Sequence, residues 1–211
     1  YIQIVHPKSS SPNVETEACM HPLIRRAGGA RALIHKSRPA RTVWFGDDLL
    51  QAECDAIVLK LHELDDQCSE EPIWVRINSN GGNHEGAMRI FDTLRLIRAP
   101  SIGVLLGKAY SSAAFIMQGM TVRIGAKNAR FHFHNPTYEP RPLITPDTNL
   151  KVLTASFRAH IKNLNFARRR YVEEISSRSG LRPSKVRGFL LDERFILAPE
   201  AKRLGLLDAV I

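Results

Sequence analysis

An α/β fold with mostly parallel strand pairing is predicted by three features of the sequence. Runs of β-branched and aromatic residues read as strands, stretches of helical apolar spacing follow them, and Gly- or Pro-rich punctuation separates the two. At 211 residues and 44% hydrophobic content, the chain is long enough for one sizeable core, and its length favours one domain over two.

The first 40 residues mix Pro7, Ser9, Ser10, Ser11, Pro12, Gly28, Gly29 and Pro39 with short apolar patches. An irregular N-terminal arm over 1–40 is therefore expected, followed by one folded domain over 41–211. Thr42-Val43-Trp44-Phe45, closed by Gly46, reads as the first strand. Leu50, Cys54, Ile57, Val58, Leu61 and Leu64 recur at intervals of three and four and predict a helix over about 49–65. Ile73 to Ile77 is the second strand and runs into the tight turn Asn78-Ser79-Asn80-Gly81-Gly82. Met88, Ile90, Phe91, Leu94 and Ile97 carry the next helix to Ala99-Pro100, where proline disfavours continuation.

A third strand over 101–106 is punctuated by Gly107, and the small residues Ala109 to Ala114 open a third helix. Strands at about 121–124 and 129–134 follow, then a turn rich in proline at 136, 140, 142 and 146. Asp147 is the candidate N-cap of a long amphipathic helix reaching about residue 178, with Leu150, Leu153, Phe157, Ile161 and Leu164 on its apolar stripe. Pro199 and Gly205 bracket a short helix, and Leu207 to Ile211 closes the chain as a strand.

Composition removes several function classes. No apolar run reaches the roughly eighteen residues of a membrane span, and the first twenty residues lack the layout of a secretory signal, so no membrane partner is expected. Cys19, Cys54 and Cys68 are an odd set without C-x-x-C spacing. That argues against a disulfide framework and a structural zinc site, and for a reducing, cytoplasmic compartment. The net charge of +9 is dispersed, with dense runs only at Arg25-Arg26 and Arg168 to Arg170, and no nucleic-acid-binding motif accompanies it. Nucleic acid is not an expected partner.

Two turns carry candidate chemistry. In Gly107-Lys108-Ala109-Tyr110-Ser111-Ser112, a strand end meets a helix N-terminus, where unpaired N–H groups lie beside the two serines. Each serine is equally an ordinary N-cap. Gly81-Gly82 lets backbone approach a substrate closely, and is equally a plain turn. In Phe131-His132-Phe133-His134 the alternation puts both histidines on one face of a strand and both phenylalanines on the other. A His-x-His metal pair needs further ligands that the sequence does not supply, since His84-Glu85 lies in another segment and His62-Glu63 lacks the second histidine of a zinc-protease helix. No metal is expected.

Taken together, these blocks resemble the proteolytic subunit of the Clp protease, the ClpP family. Ile77-Asn78-Ser79-Asn80-Gly81-Gly82 is similar to its I-N-S-P-G-G, and Ala87 to Leu94 to the helix that follows. Gly107-x-Ala109-x-Ser111 with Ala114-Phe115 is similar to its nucleophile turn G-x-A-A-S-M-G-A-F, and His134-Asn135-Pro136 to its H-Q-P. Phe195 to Ala201 and Gly205-Leu206-Leu207-Asp208 look like its C-terminal blocks. All occur in order over about 41–211.

The resemblance implies a ClpP/crotonase-type spiral of strand-strand-helix units with a protruding helical handle. It implies Ser111 as nucleophile, His134 as base, and the N–H groups of Gly82 and Ser112 as oxyanion donors, with Gly81 and Tyr110 against the substrate. The family's aspartate falls on Glu193, with neighbouring Asp192 as the alternative third member. It further implies a homo-oligomer, a heptameric ring stacked into a tetradecamer, that hydrolyses unfolded proteins delivered by an AAA+ unfoldase. No cofactor is implied for the chain itself, ATP being used by the unfoldase. Departures are Asn80 for proline, Ser112 for methionine, Ala113 for glycine, Tyr110 for alanine and Asn135 for glutamine. They keep a catalytically weak or silent ring subunit as one alternative, and a crotonase-type acyl-CoA enzyme as another.

Overall fold

Residues 20–137 and 149–211 are described by the structure, a computed structural model. Among them, β1 (Thr42–Leu49), β2 (Ile73–Gly82), β3 (Ser101–Tyr110), β4 (Val122–Gly125), β5 (Arg130–His132), β6 (Phe195–Leu197) and β7 (Ala209–Val210) form one sheet. Its main path β1-β2-β3-β4-β7 is parallel throughout, as the alternation of strands and helices predicts. The helices are α1 (Pro22–Arg26), α2 (Ala30–Ile34), α3 (Gln51–Gln67), α4 (His84–Leu96), α5 (Ser112–Met117), α6 (Leu150–Ser179), α7 (Pro183–Leu191) and α8 (Ala198–Arg203).

Both faces of the sheet are covered, which is why its strands are apolar on both sides. Val75, Ile77 and Leu105 face a core shared with α3, α4, α5 and the C-terminal half of α6. Trp74, Ile102, Val104, Val122 and Ile124 face the other way, onto Ile24 of α1 and Leu33 of α2. The region where the sequence signals indicated only loop therefore contains two short helices. Pro22 opens α1, His21 Nδ1 accepts a hydrogen bond from the Leu23 N–H (3.2 Å), and the sheet buries one apolar residue of each helix. Residues 1–19, the proline-rich stretch over 138–148 and the expected cap Asp147 lie outside the described residues; α6 is capped by Asn149, whose Oδ1 accepts from the Val152 N–H (3.1 Å).

Gly180 ends α6 in the left-handed conformation (φ 75°). The buried residues of this 30-residue helix are Ala167, Tyr171, Val172 and Ile175, so its N-terminal half projects from the core. Helix α7 was not anticipated, although Pro183 in its first turn is a recognisable start signal.

An ion-pair cluster closes the sheet's far edge. Arg123, 3% exposed, donates from Nη2 to Asp208 Oδ1 (2.7 Å), from Nε to Asp208 Oδ2 (3.1 Å) and from Nη1 to Gln118 Oε1 (2.6 Å). Burial opposes the charge on Asp208, yet the hydrogen bonds and charge of Arg123, helped by Arg178, outweigh it and hold the carboxyl below the ordinary range. A depressed folded pKa contributes stability that is present above the unfolded value of about 3.9 and lost as pH falls through the folded value. Thermal melts should therefore lose stability on acidification below about pH 4. Asp208→Asn should lower the melting temperature near neutrality and flatten that acid limb; an unchanged limb would dismiss Asp208 as its source.

Candidate active site

Strand β3 is long enough to have two successive partners. Ile102 to Leu105 pair with β4, whereas Lys108 to Tyr110 pair with β5 in parallel register, Tyr110 opposite His132. Between them, the pairing of β2 with β3 slips from Ile77–Leu105 to Ser79–Ala109. Asn78 Oδ1 accepts the Lys108 N–H (3.3 Å) across this irregularity. The slip lets the C-terminal ends of β2, β3 and β5 converge, the usual place for a site in a parallel sheet.

The end of β2 is the Gly-Gly turn. Buried Ser79 donates its hydroxyl to Asp47 O (2.5 Å) and accepts the Gly81 N–H (3.0 Å), which fixes the turn against β1. Gly81 has φ 90°, and a Cβ there would stand 2.6 Å from the Tyr110 carbonyl oxygen and 2.9 Å from both Ser111 Cβ and Ser112 N. Only glycine allows this approach. The two turns singled out in the sequence are thus in direct contact.

Ser111 occupies the N-cap position of α5, yet its side chain makes no capping hydrogen bond. Its backbone lies at φ 52°, ψ −125°, a region that L residues rarely adopt and that marks functional strain in many folds. Of the two readings open at the sequence level, capping is not what the Ser111 hydroxyl does. The N–H of Ser112, the first residue of α5, has no carbonyl within the helix to engage. The Ser112 hydroxyl is committed elsewhere: it accepts the Gly82 N–H (2.8 Å) and donates to Gly82 O (3.3 Å). Beneath, Phe115 stacks on Phe91 (4.5 Å) and on Tyr171 (4.2 Å), clamping α5 between α4 and α6.

The Ser111 N–H donates to His132 O (2.8 Å), so the serine turn is hydrogen-bonded to the segment that carries His134 two residues later. Phe131 and Phe133 are buried at 0% and 2% exposure while His132 and His134 are half-buried, the alternation read from the sequence. His134 Nδ1 lies 2.7 Å from Asn135 O. A carbonyl can only accept, so Nδ1 carries a proton, which leaves Nε2 as the nitrogen whose lone pair can serve as a base. Among the described residues, Ser111 Oγ and His134 share no hydrogen bond.

Strand β6 runs antiparallel to β5, with His132 opposite Phe195; extending the register by two places Glu193 opposite His134. The Phe133 N–H to Arg194 O bond (3.1 Å) carries the pairing one residue beyond the strands. Glu193 has φ 48°, and both it and Asp192 are exposed, their carboxylates without a hydrogen bond or ion pair among the described residues. Tyr110 stands beside the site, its ring edge-on to His132 (5.5 Å) and Phe195 (5.6 Å). The stack of His132 on Phe195 (4.1 Å) escaped sequence reasoning, because only tertiary register places these residues together.

Burial pushes the Cys54 thiol up, which keeps it protonated and unreactive. Among the described residues, no three His, Cys, Asp or Glu side chains converge as a metal site, and no helix is long and apolar enough to cross a membrane.

Comparison with known proteins points the same way. A sequence model described as Clp protease matches residues 29–211. The ATP-dependent Clp protease proteolytic subunit 1 of Bifidobacterium longum (strain NCC 2705) is 27% identical over 173 residues, covering 81% of this chain and 70% of its own. The ATP-dependent Clp protease proteolytic subunits 3 of Synechococcus sp. (strain CC9605) and Parasynechococcus marenigrum (strain WH8102) are each 25% identical over 173 residues, covering 81% of this chain and 82% of theirs.

Proposed function

The chain belongs to the Clp protease family, and from that membership we propose that it is a serine endopeptidase subunit with Ser111 as its nucleophile. Ser111 Oγ attacks the scissile carbonyl while His134 Nε2 takes its proton, and the C=O electron pair moves onto oxygen. The N–H groups of Gly82 and Ser112 receive that oxyanion, each contributing about 3 to 4 kcal/mol to the transition state. Collapse of the adduct expels the amine, which carries away the proton from His134; water then releases the acyl group by the same steps reversed. The observation that carries this reading is a hydroxyl on a strained turn, free of capping and in contact with a Gly-Gly turn.

Glu193 is the proposed orienting acid, because the β5–β6 register continued two residues past its last pair would bring it opposite His134. In that role it replaces Asn135 O as the partner of Nδ1. Glu193→Gln should then lower kcat by about a hundredfold or more, as loss of the orienting carboxylate does in other triads. Unaltered turnover would transfer the role to Asp192 or to the Asn135 carbonyl.

The subunit is further proposed to assemble as a heptameric ring stacked into a tetradecamer in the cytoplasm, fed with unfolded protein by an AAA+ unfoldase that uses the ATP. Two observations support assembly. The relatives are named as subunits of an ATP-dependent protease. The projecting half of α6 also leaves Leu150 (79% exposed), Phe157 and Ile161 uncovered along one stripe.

A catalytically silent ring subunit is the second reading, favoured by the open Ser111–His134 pair and by the unpartnered Glu193. A fluorophosphonate probe separates the two. Labelling that maps to Ser111 and vanishes in Ser111→Ala is expected; absence of labelling in the assembled protein would favour the silent subunit.

A further inference from the structure

We propose that the Ser112 hydroxyl is a rate-limiting stopper in the oxyanion site, occupying in the resting enzyme the Gly82 N–H that the transition state needs. The proposal rests on the serine-peptidase reading above. Ser112 is 1% exposed, so its hydroxyl must find a partner inside the protein. Among the described residues both its partners are on Gly82: it accepts from the Gly82 N–H at 2.8 Å and donates to the Gly82 carbonyl at 3.3 Å. The hydroxyl therefore sits beside one oxyanion donor while belonging to the residue whose own N–H is the other.

A reacting carbonyl cannot claim the Gly82 N–H until Ser112 Oγ gives it up. Productive binding thus exchanges one hydrogen bond for another instead of filling a vacant donor, and the preorganisation that makes such sites effective is reduced. The family's methionine at this position has no comparable acceptor, since a thioether sulfur accepts only weakly. The brake is a property of this sequence.

The test uses the purified full chain, as wild type, Ser112→Ala, Ser112→Thr and Ser111→Ala, with two probes. A peptide aldehyde forms a hemiacetal on Ser111 Oγ and places its oxyanion in the site. The corresponding product peptide, a carboxylate, binds without forming an adduct. Removing one net hydrogen bond should make Ser112→Ala roughly three- to tenfold faster in kcat/KM and tighter for the aldehyde by the same factor. Product-peptide affinity should not change, and Ser112→Thr, which keeps the hydroxyl, should show none of the gain of Ser112→Ala.

A hydroxyl that merely anchors the Gly-Gly turn would give the opposite result, with Ser112→Ala slower and weaker for both ligands. That outcome overturns the proposal, as does an unchanged aldehyde affinity. Fluorophosphonate labelling keeps this separate from the underlying reading. Ser111-dependent labelling in wild type with no gain in Ser112→Ala sinks the stopper alone, and no labelling in either sinks both. Labelling that appears only once Ser112 is alanine supports the stopper in its strongest form.

Discussion

Ser111→Ala is expected to reduce peptide hydrolysis by a factor on the order of 10⁵, and His134→Ala by a similar factor. The double variant should be no slower than either single one. In the proposed mechanism nucleophile and base act as a single proton-transfer unit, so once one is gone the other has nothing to act on, and the losses do not add. The residual rate above the uncatalysed reaction would come from the Gly82 and Ser112 N–H groups and from substrate positioning. Folding should be little affected, because Ser111 makes no capping bond that alanine would remove. Initial rates on a fluorogenic peptide, with circular dichroism to verify the fold, provide the check. Retention of more than about a hundredth of the activity by Ser111→Ala would exclude it as the nucleophile.

Gly81→Ala should cost both stability and activity. At φ 90° an L residue is strained whatever space surrounds it, at about 1 to 3 kcal/mol. Here the space is also taken, since the new methyl would lie 2.6 Å from the Tyr110 carbonyl and 2.9 Å from Ser111 Cβ. Overpacking adds about 1 to 3 kcal/mol. Relief comes only by pushing the serine turn away, and a displacement near 1 Å is enough for about a hundredfold loss of rate. Gly46→Ala is the matched control: a methyl there meets nothing within 4 Å. Its unfolding free energy in urea should stay within about 0.5 kcal/mol of wild type. Equal midpoints for the two variants would mean that the contact between the turns is loose.

Periodicity made the regular elements legible. The helix whose stripe includes Cys54 and Leu61 lies close to its expected bounds, and the strands at Thr42 and Ile73 begin where expected but run on past Gly46 and Ile77, to Leu49 and Gly82. Such elements are written locally, because each needs one apolar face at a fixed repeat. Helices α1, α2 and α7 were less visible, since five to nine residues are too few for a stripe to stand out from loop composition.

The candidate site divides in the same way. Residue identity and local spacing named the serines, the glycine pair and the alternating histidines, and their order along the chain carried the family resemblance. Tertiary structure alone put Gly81 against Ser111, gave β3 two partners in succession, set Phe195 on His132, and turned the Ser112 hydroxyl onto Gly82. These contacts join residues as distant in sequence as His132 and Phe195 and depend on strand register. Sequence specifies the alternation of a strand; which neighbour each face meets is decided only when the strands pair.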